Sequence, residues 1–238
     1  MHFRPLLLAG GQSSRMGTRK ELLRLPSGNV MFVHLLQMLH EVFPELNVFY
    51  MSTKSRDTLN ELLSTGHIVR IGERVAKLAD KGAIEIQFLF DSDTLSPAVH
   101  GGGEDIGPAA GLIAAHCADP AASWLVVACD FPLLEVSALR QLLEEFRGPL
   151  ACYRNCRGFV EPLLAIWSPE ALEQLQGNAM QGKYGPRFVT EQVNAQTILP
   201  AQNRWLFNAN TTEEWREALR LLMPSSSNGN PEEETGSK

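Results

Sequence analysis

The residues best suited to chemistry stand at the start of the chain. Leu6-Leu7-Leu8-Ala9 is an apolar burst that stops at Gly10-Gly11, and a small polar stretch with cations at Arg15, Arg19 and Lys20 follows. Glycines lack a Cβ, so such a turn can take positive φ angles and let a ligand approach the backbone. Its N–H groups can converge on an anion, and a following helix adds its dipole. A plain strand-to-helix corner would need the glycines but not the cations, so the stretch reads as a phosphate cradle. Carboxylates come later. Asp91 and Asp93 stand just past the apolar run 84–90, and Asp130 ends the run Ser123–Cys129, followed by Phe131-Pro132.

Ligands of open α/β sheets bind outside the carboxyl ends of the strands. By that rule Gly10-Gly11, Ser52, Asp91 and Asp130, each following a strand-like run, share one edge. An anion cradle beside a carboxylate suits a nucleoside triphosphate with Mg²⁺, because a hard cation takes oxygen ligands from both. Other nucleotide motifs fit poorly. Gly10, Gly11 and Gly17 do not have GxGxxG spacing, no acidic residue ends the second strand, and GxxxxGK[ST] is absent. Cys152 and Cys156 have no second Cys or His pair at zinc spacing, and the six histidines are scattered. No Ser-His-Asp or Cys-His set is evident. The formal charge of −6 argues against a nucleic-acid-coating protein, so an anionic ligand must be held by local cations.

The elements that would position these groups follow from periodicity. Phe3 to Leu8 and Ser123 to Cys129 read as buried strands, Asn47 to Met51 and Ile84 to Phe90 as further strands, and Pro149 to Tyr153 and Val160 to Trp167 as two more. Helices are expected over Asn29–Val42, Thr58–Leu63, Gly107–Ala118 and Val136–Phe146, with Pro108 in a first turn. Glu73 to Asp80 is assigned to a helix, Tyr184 to Val193 to a short helix or loop, and Trp205 to Asn208 to a short last strand. Ser168-Pro169-Glu170 carries a capping serine, and Thr211 with Glu214 forms a capping-box pattern at the final helix. The alternation predicts an α/β protein with a mostly parallel sheet, one domain over residues 1–223. Residues 224–238 are Ser, Asn, Gly, Glu and Lys rich, the composition of a disordered tail or of a linker to further domains. Leu6–Ala9 is too short for a signal h-region and no stretch reaches membrane-spanning length, so the expectation is a cytoplasmic protein without a membrane partner.

Leu8-Ala9-Gly10-Gly11-Gln12-Ser13-Ser14-Arg15-Met16-Gly17-Thr18-Arg19-Lys20 resembles the signature LAGGxSxRMGxDK of MobA-like nucleotidyltransferases. Gly107-Pro108-Ala109-Ala110-Gly111, Cys129-Asp130-Phe131-Pro132-Leu133, Glu161-Pro162-Leu163-Leu164-Ala165 and the stretch Phe207 to Glu214 are similar to further family segments, in the family's order. The resemblance implies a three-layer, Rossmann-like nucleotidyltransferase fold. It also implies transfer of GMP from GTP to molybdopterin, with Mg²⁺ and release of pyrophosphate. On it, Leu8, Ala9, Gly10, Gly11 and Ser13 would form the nucleotide loop, with Ser52 and Asp91 beside the nucleotide. Arg15 and Lys20 would bind phosphates, and Asp130 would hold nucleotide and metal; these three are the expected catalytic residues. Pro162, Asn208 and Asn210 would lie toward the acceptor. Two departures stand out. Arg19 replaces an acidic residue, which would add a cation beside the triphosphate, and the segment from Gly66 to Gly107 is long for the family. Alternatives on the same residues are a CTP- or other NTP-dependent transferase with another phosphorylated acceptor, or a non-catalytic nucleotide-binding module.

Overall fold

A computed structural model describes residues 1–10, 17–80, 83–91 and 106–223. Gly11, Ser13, Arg15, Asp93, the loop 96–105 and the tail 224–238 lie outside the described residues. The strands are β1 (Phe3–Leu8), β2 (Val48–Thr53), β3 (Ile68–Arg70), β4 (Val75–Leu78), β5 (Glu85–Phe90), β6 (Ser123–Ala128), β7 (Leu150–Arg154), β8 (Val160–Trp167) and β9 (Gln196–Ile198). The helices are α1 (Met31–Val42), α2 (Arg56–Ser64), α3 (Pro108–Ala118), α4 (Val136–Glu145), α5 (Pro169–Ala179), α6 (Pro186–Gln192) and α7 (Thr212–Leu222).

The strands form one sheet in the order β3-β4-β5-β2-β1-β6-β8-β7-β9. Its centre, β5-β2-β1-β6, is parallel, with Leu6 opposite both Tyr50 and Val126. This is the parallel sheet that the strand–helix alternation predicts. Antiparallel pairs flank it, β6 with β8 on one side and β5 with β4 on the other. From β1 the chain steps outward to β2 and β5, then returns to place β6 on the other side of β1. The reversal opens a crevice at the carboxyl ends of β1 and β6, where ligands of such sheets bind.

Period-two alternation splits the central strands between two layers. Leu7 and Val127 face a core shared with Met31, Leu139 and Trp215; Leu6 and Val126 face one shared with Leu112, Leu172 and Val189. Helices therefore cover both faces, giving three layers. β6 is buried along its whole length, so each of its valines contributes about 1.5–3 kcal/mol by leaving water.

Two assignments need correction. The segment Glu73–Asp80, expected as a helix, contains strand β4. An extended backbone buries Ala76 and Leu78 on alternate positions and pairs with β5 through Ala76 and Ile86. Trp205–Asn208, expected as a strand, is the end of a 3-10 turn, Asn203–Leu206. Trp205 and Leu206 are consecutive and both buried, and the Trp205 ring packs 6.4 Å from that of Tyr153. Strands β3 and β9, of three residues each, carry too little pattern to read.

Helix α3 lies directly on the ends of β1 and β2. A Cβ at Gly111 would stand 2.5 Å from Ser52 Oγ and 2.8 Å from Leu8 Cδ2. Alanine would add about 1 kcal/mol of helix propensity, but overpacking a buried contact costs about 1–3 kcal/mol. Ser52 is 2% exposed and has little room to retreat, so the clash wins. Gly111→Ala is expected to lower the melting temperature by roughly 2–4 °C for each kcal/mol lost, measured by calorimetry.

Candidate active site

A cavity of about 310 Å³ opens at the crevice. The backbone Leu8-Ala9-Gly10 forms one wall. It is strapped on both sides, because Ala9 N–H donates to Ser52 O at 2.9 Å and Leu8 O accepts from Cys129 N–H at 3.2 Å. Gly10 is not in the left-handed region that the Gly-Gly turn suggested; its missing side chain leaves space instead. A Cβ there would lie 3.4 Å from Lys54 N and 3.5 Å from Asp91 Oδ2. Ser52 and Asp91 line the same cavity, and the Ser52 hydroxyl donates to Asp91 Oδ1 at 3.0 Å. Ser52 thus orients the carboxylate.

Across the crevice stands Asp130, at the end of β6. Its Oδ2 accepts from Asn208 Nδ2 at 3.1 Å and lies 3.7 Å from Lys20 Nζ. Lys20 Nζ also donates to Asn210 Oδ1 at 2.6 Å. Ala209 N–H donates to the Asp130 carbonyl at 2.9 Å, so one short segment grips both residues. The segment is itself held by the predicted capping box of α7. Glu214 accepts from Asn210 and Thr211 N–H, and Thr211 Oγ1 accepts from Glu214 N–H. Burial pushes the Asp130 carboxyl up, opposed by the Lys20 charge and the Asn208 hydrogen bond.

Asn208 and Asn210, expected beside the acceptor, thus sit on Asp130 and Lys20. Pro162 lies in an irregular stretch of β8, where the pairing with β7 jumps from Cys152–Ala165 to Tyr153–Glu161. Its carbonyl accepts from Trp167 Nε1, while its neighbour Leu163 reaches the cavity wall. Arg19 corrects an expectation. Instead of standing beside the phosphate region, its guanidinium donates to Glu21 Oε1 at 2.7 Å, Glu61 Oε2 at 2.9 Å and Thr58 Oγ1 at 3.2 Å. Glu21, in the cavity wall and 1% exposed, was not foreseen. The only signal was its place after two cations, and nothing local says that it is buried.

The site accommodates a hard cation. Asp130 Oδ1 is buried and has no hydrogen-bond partner among the described residues. No group of three or more His, Cys, Asp or Glu residues gathers there to cage a metal among those residues. That combination fits Mg²⁺, which commonly takes one or two carboxylates and completes its shell with waters and substrate phosphates.

The sequence matches the MobA-like NTP transferase domain over residues 5–197. The chain belongs to that family. It is 29% identical over 211 residues to a molybdenum cofactor guanylyltransferase of Pseudomonas paraeruginosa, covering 87% of this chain and 90% of the relative. It is 24% identical over 216 residues to the molybdenum cofactor biosynthesis bifunctional protein of Synechocystis, covering 88% of this chain and 52% of that one. The chain therefore spans about half the length of that bifunctional relative. The crystal structure of molybdopterin-guanine dinucleotide biosynthesis protein A from Archaeoglobus fulgidus aligns with a TM-score of 0.63 at 19% identity, over 92% of this chain and 97% of that one, a likeness of fold.

This MobA-like chain carries a second carboxylate near Asp130. Glu161, half-buried at the start of β8, is pushed up to about 7 by burial and then by the Asp130 charge. A carboxyl raised by folding contributes stability that is present below the ordinary carboxylate range and is lost as pH rises through about 7. Glu161→Gln is expected to match wild type in melting temperature at about pH 3.5 and to exceed it at about pH 8.5, read from paired thermal melts.

Proposed function

We propose that this chain transfers the GMP group of GTP to molybdopterin and releases pyrophosphate. The observation that carries the reading is the Lys20–Asp130 pair, held by Asn208 and Asn210, facing the strapped backbone of Leu8 to Gly10 at the sheet's switch point. A cation, a carboxylate with a buried oxygen lacking a partner among the described residues, and loop backbone lining the cavity are what a nucleoside triphosphate site requires. The names of the relatives supply the base and the acceptor.

The reaction balances without a side-chain nucleophile. A terminal phosphate oxygen of the acceptor attacks the α-phosphorus, a new P–O bond forms in line, and the bond to the β-phosphate oxygen breaks. Pyrophosphate leaves with the electron pair. Such transfers depend on positioning and charge neutralisation. In this reading Leu8, Ala9, Gly10 and Gly11 hold the nucleotide with Ser13, and Asp91, set by Ser52, faces it. Lys20 and Arg15 offset phosphate charge. Asn208 and Asn210 fix Asp130 and Lys20, and Pro162 shapes the acceptor side. Mg²⁺, when bound to Asp130, would supply further neutralisation of the phosphates. No nucleic acid or membrane partner enters, and no helix among the described residues is long and apolar enough to cross a membrane.

The test is mass analysis of the product formed from molybdopterin, Mg²⁺ and a mixture of the four nucleoside triphosphates. The guanine dinucleotide product is expected, and a cytosine product would replace the guanylyl reading. Asp130→Asn and Lys20→Ala are each expected to lower kcat by about 10²–10³, the range seen on removing one group that stabilises transition-state charge. Nucleotide binding without pyrophosphate release by wild type would point to a binding module.

A further inference from the structure

Arg19 and Lys20 are adjacent cations with separate partners. Lys20 reaches Asn210 and Asp130 across the crevice, while Arg19 reaches Glu21 and, on α2, Thr58 and Glu61. The 3-10 turn Lys20–Leu22 is short and has no side-chain cap on Arg19. The side-chain hydrogen bonds of Arg19 to Thr58 and Glu61 tie the entry of that turn to the neighbouring helix.

Glu21 gives the arrangement its electrostatic meaning. Its side chain is 2% exposed and stands in the wall of the cavity proposed to take a triphosphate. A buried carboxylate is costly unless paired, and a bare one would repel a polyanion. Burial pushes the Glu21 carboxyl up, against its backbone hydrogen bond and the Arg19 charge. Arg19 meets it at 2.7 Å through Nε and donates through Nη1 to Thr58 and Glu61.

We propose that Arg19 is a positioning residue that acts through Glu21 and Lys20. It cancels the Glu21 charge in the cavity wall and anchors the turn, so that Lys20 presents its ammonium to the phosphates. This deepens the reading of the cavity as a triphosphate site. Arg19 is then no phosphate ligand, although it stands one residue from one.

The test compares wild type with Arg19→Met, Glu21→Gln, the double variant and Arg19→Lys. Affinity for GTP and for inorganic tripolyphosphate is read by calorimetry, and kcat and KM by product formation with molybdopterin. Arg19→Met is expected to raise KM and the dissociation constants roughly tenfold, the scale of a unit charge about 12 Å away at an effective dielectric of about 20. Its kcat should change less. Adding Glu21→Gln should restore most of the lost affinity, because the charge that Arg19 cancelled is gone. Arg19→Lys should keep affinity and lose thermal stability, since a point charge can pair with Glu21 but not bridge Thr58 and Glu61 together. If the double variant binds as weakly as Arg19→Met while remaining folded by circular dichroism, Arg19 touches the phosphates itself and the proposal is overturned. Failure of wild type to make product, with GTP still bound, removes the guanylyl reading and leaves the affinity comparison decisive. Failure to bind either polyphosphate overturns both.

Discussion

A carboxylate at the end of a fully buried strand sets the terms for this molecule. β6 has no exposed residue, and Asp130 follows two residues after its last, where the chain must leave the apolar interior. Taking a charge out of water costs several kcal/mol unless hydrogen bonds and an opposite charge compensate it. The compensation comes from residues far apart in sequence: Lys20 from the 3-10 turn Lys20–Leu22, and Asn208 from the approach to α7. It is incomplete. One oxygen is bonded and the other is buried without a partner among the described residues.

The rest of the sheet places Asp130 and the backbone of Leu8 to Gly10 in the wall of one cavity. The parallel order β5-β2-β1-β6 brings four strand ends to one edge, and a hydrogen bond beyond β1 extends the ladder to Ala9. Close packing of α3 through Gly111 keeps Ser52 on Asp91. Small residues work here as spacing, not as hinges. The two faces of the crevice, loop backbone and charged pair, are rigid because each is bonded into a different neighbour.

What was legible in the sequence was local or periodic. β1 and β6 are continuous apolar runs, and the caps at Ser168 and Thr211 depend on residues three positions away; both caps form as read. The motif residues Leu8, Ala9, Gly10, Lys20, Ser52, Asp91 and Asp130 all come to one cavity because strand ends converge. What could not be read were partners set by tertiary packing. Arg19 finds Glu61 42 residues away, and Lys20 finds Asn210 190 residues away. No spacing rule links such positions. β4 escaped for another reason: four residues with a lysine among them satisfy a helical pattern as readily as an alternating one.

The matched family domain ends at residue 197, whereas the segment that grips Asp130 and Lys20 begins at Asn208. The hydrogen bonds between that segment and the Asp130–Lys20 pair therefore rest on the docking of α7, whose buried residues are Trp215 and Ala218. The carboxylate at the site is thus held by two parts of the chain, by the family domain through Lys20 and by the approach to a helix beyond it through Asn208.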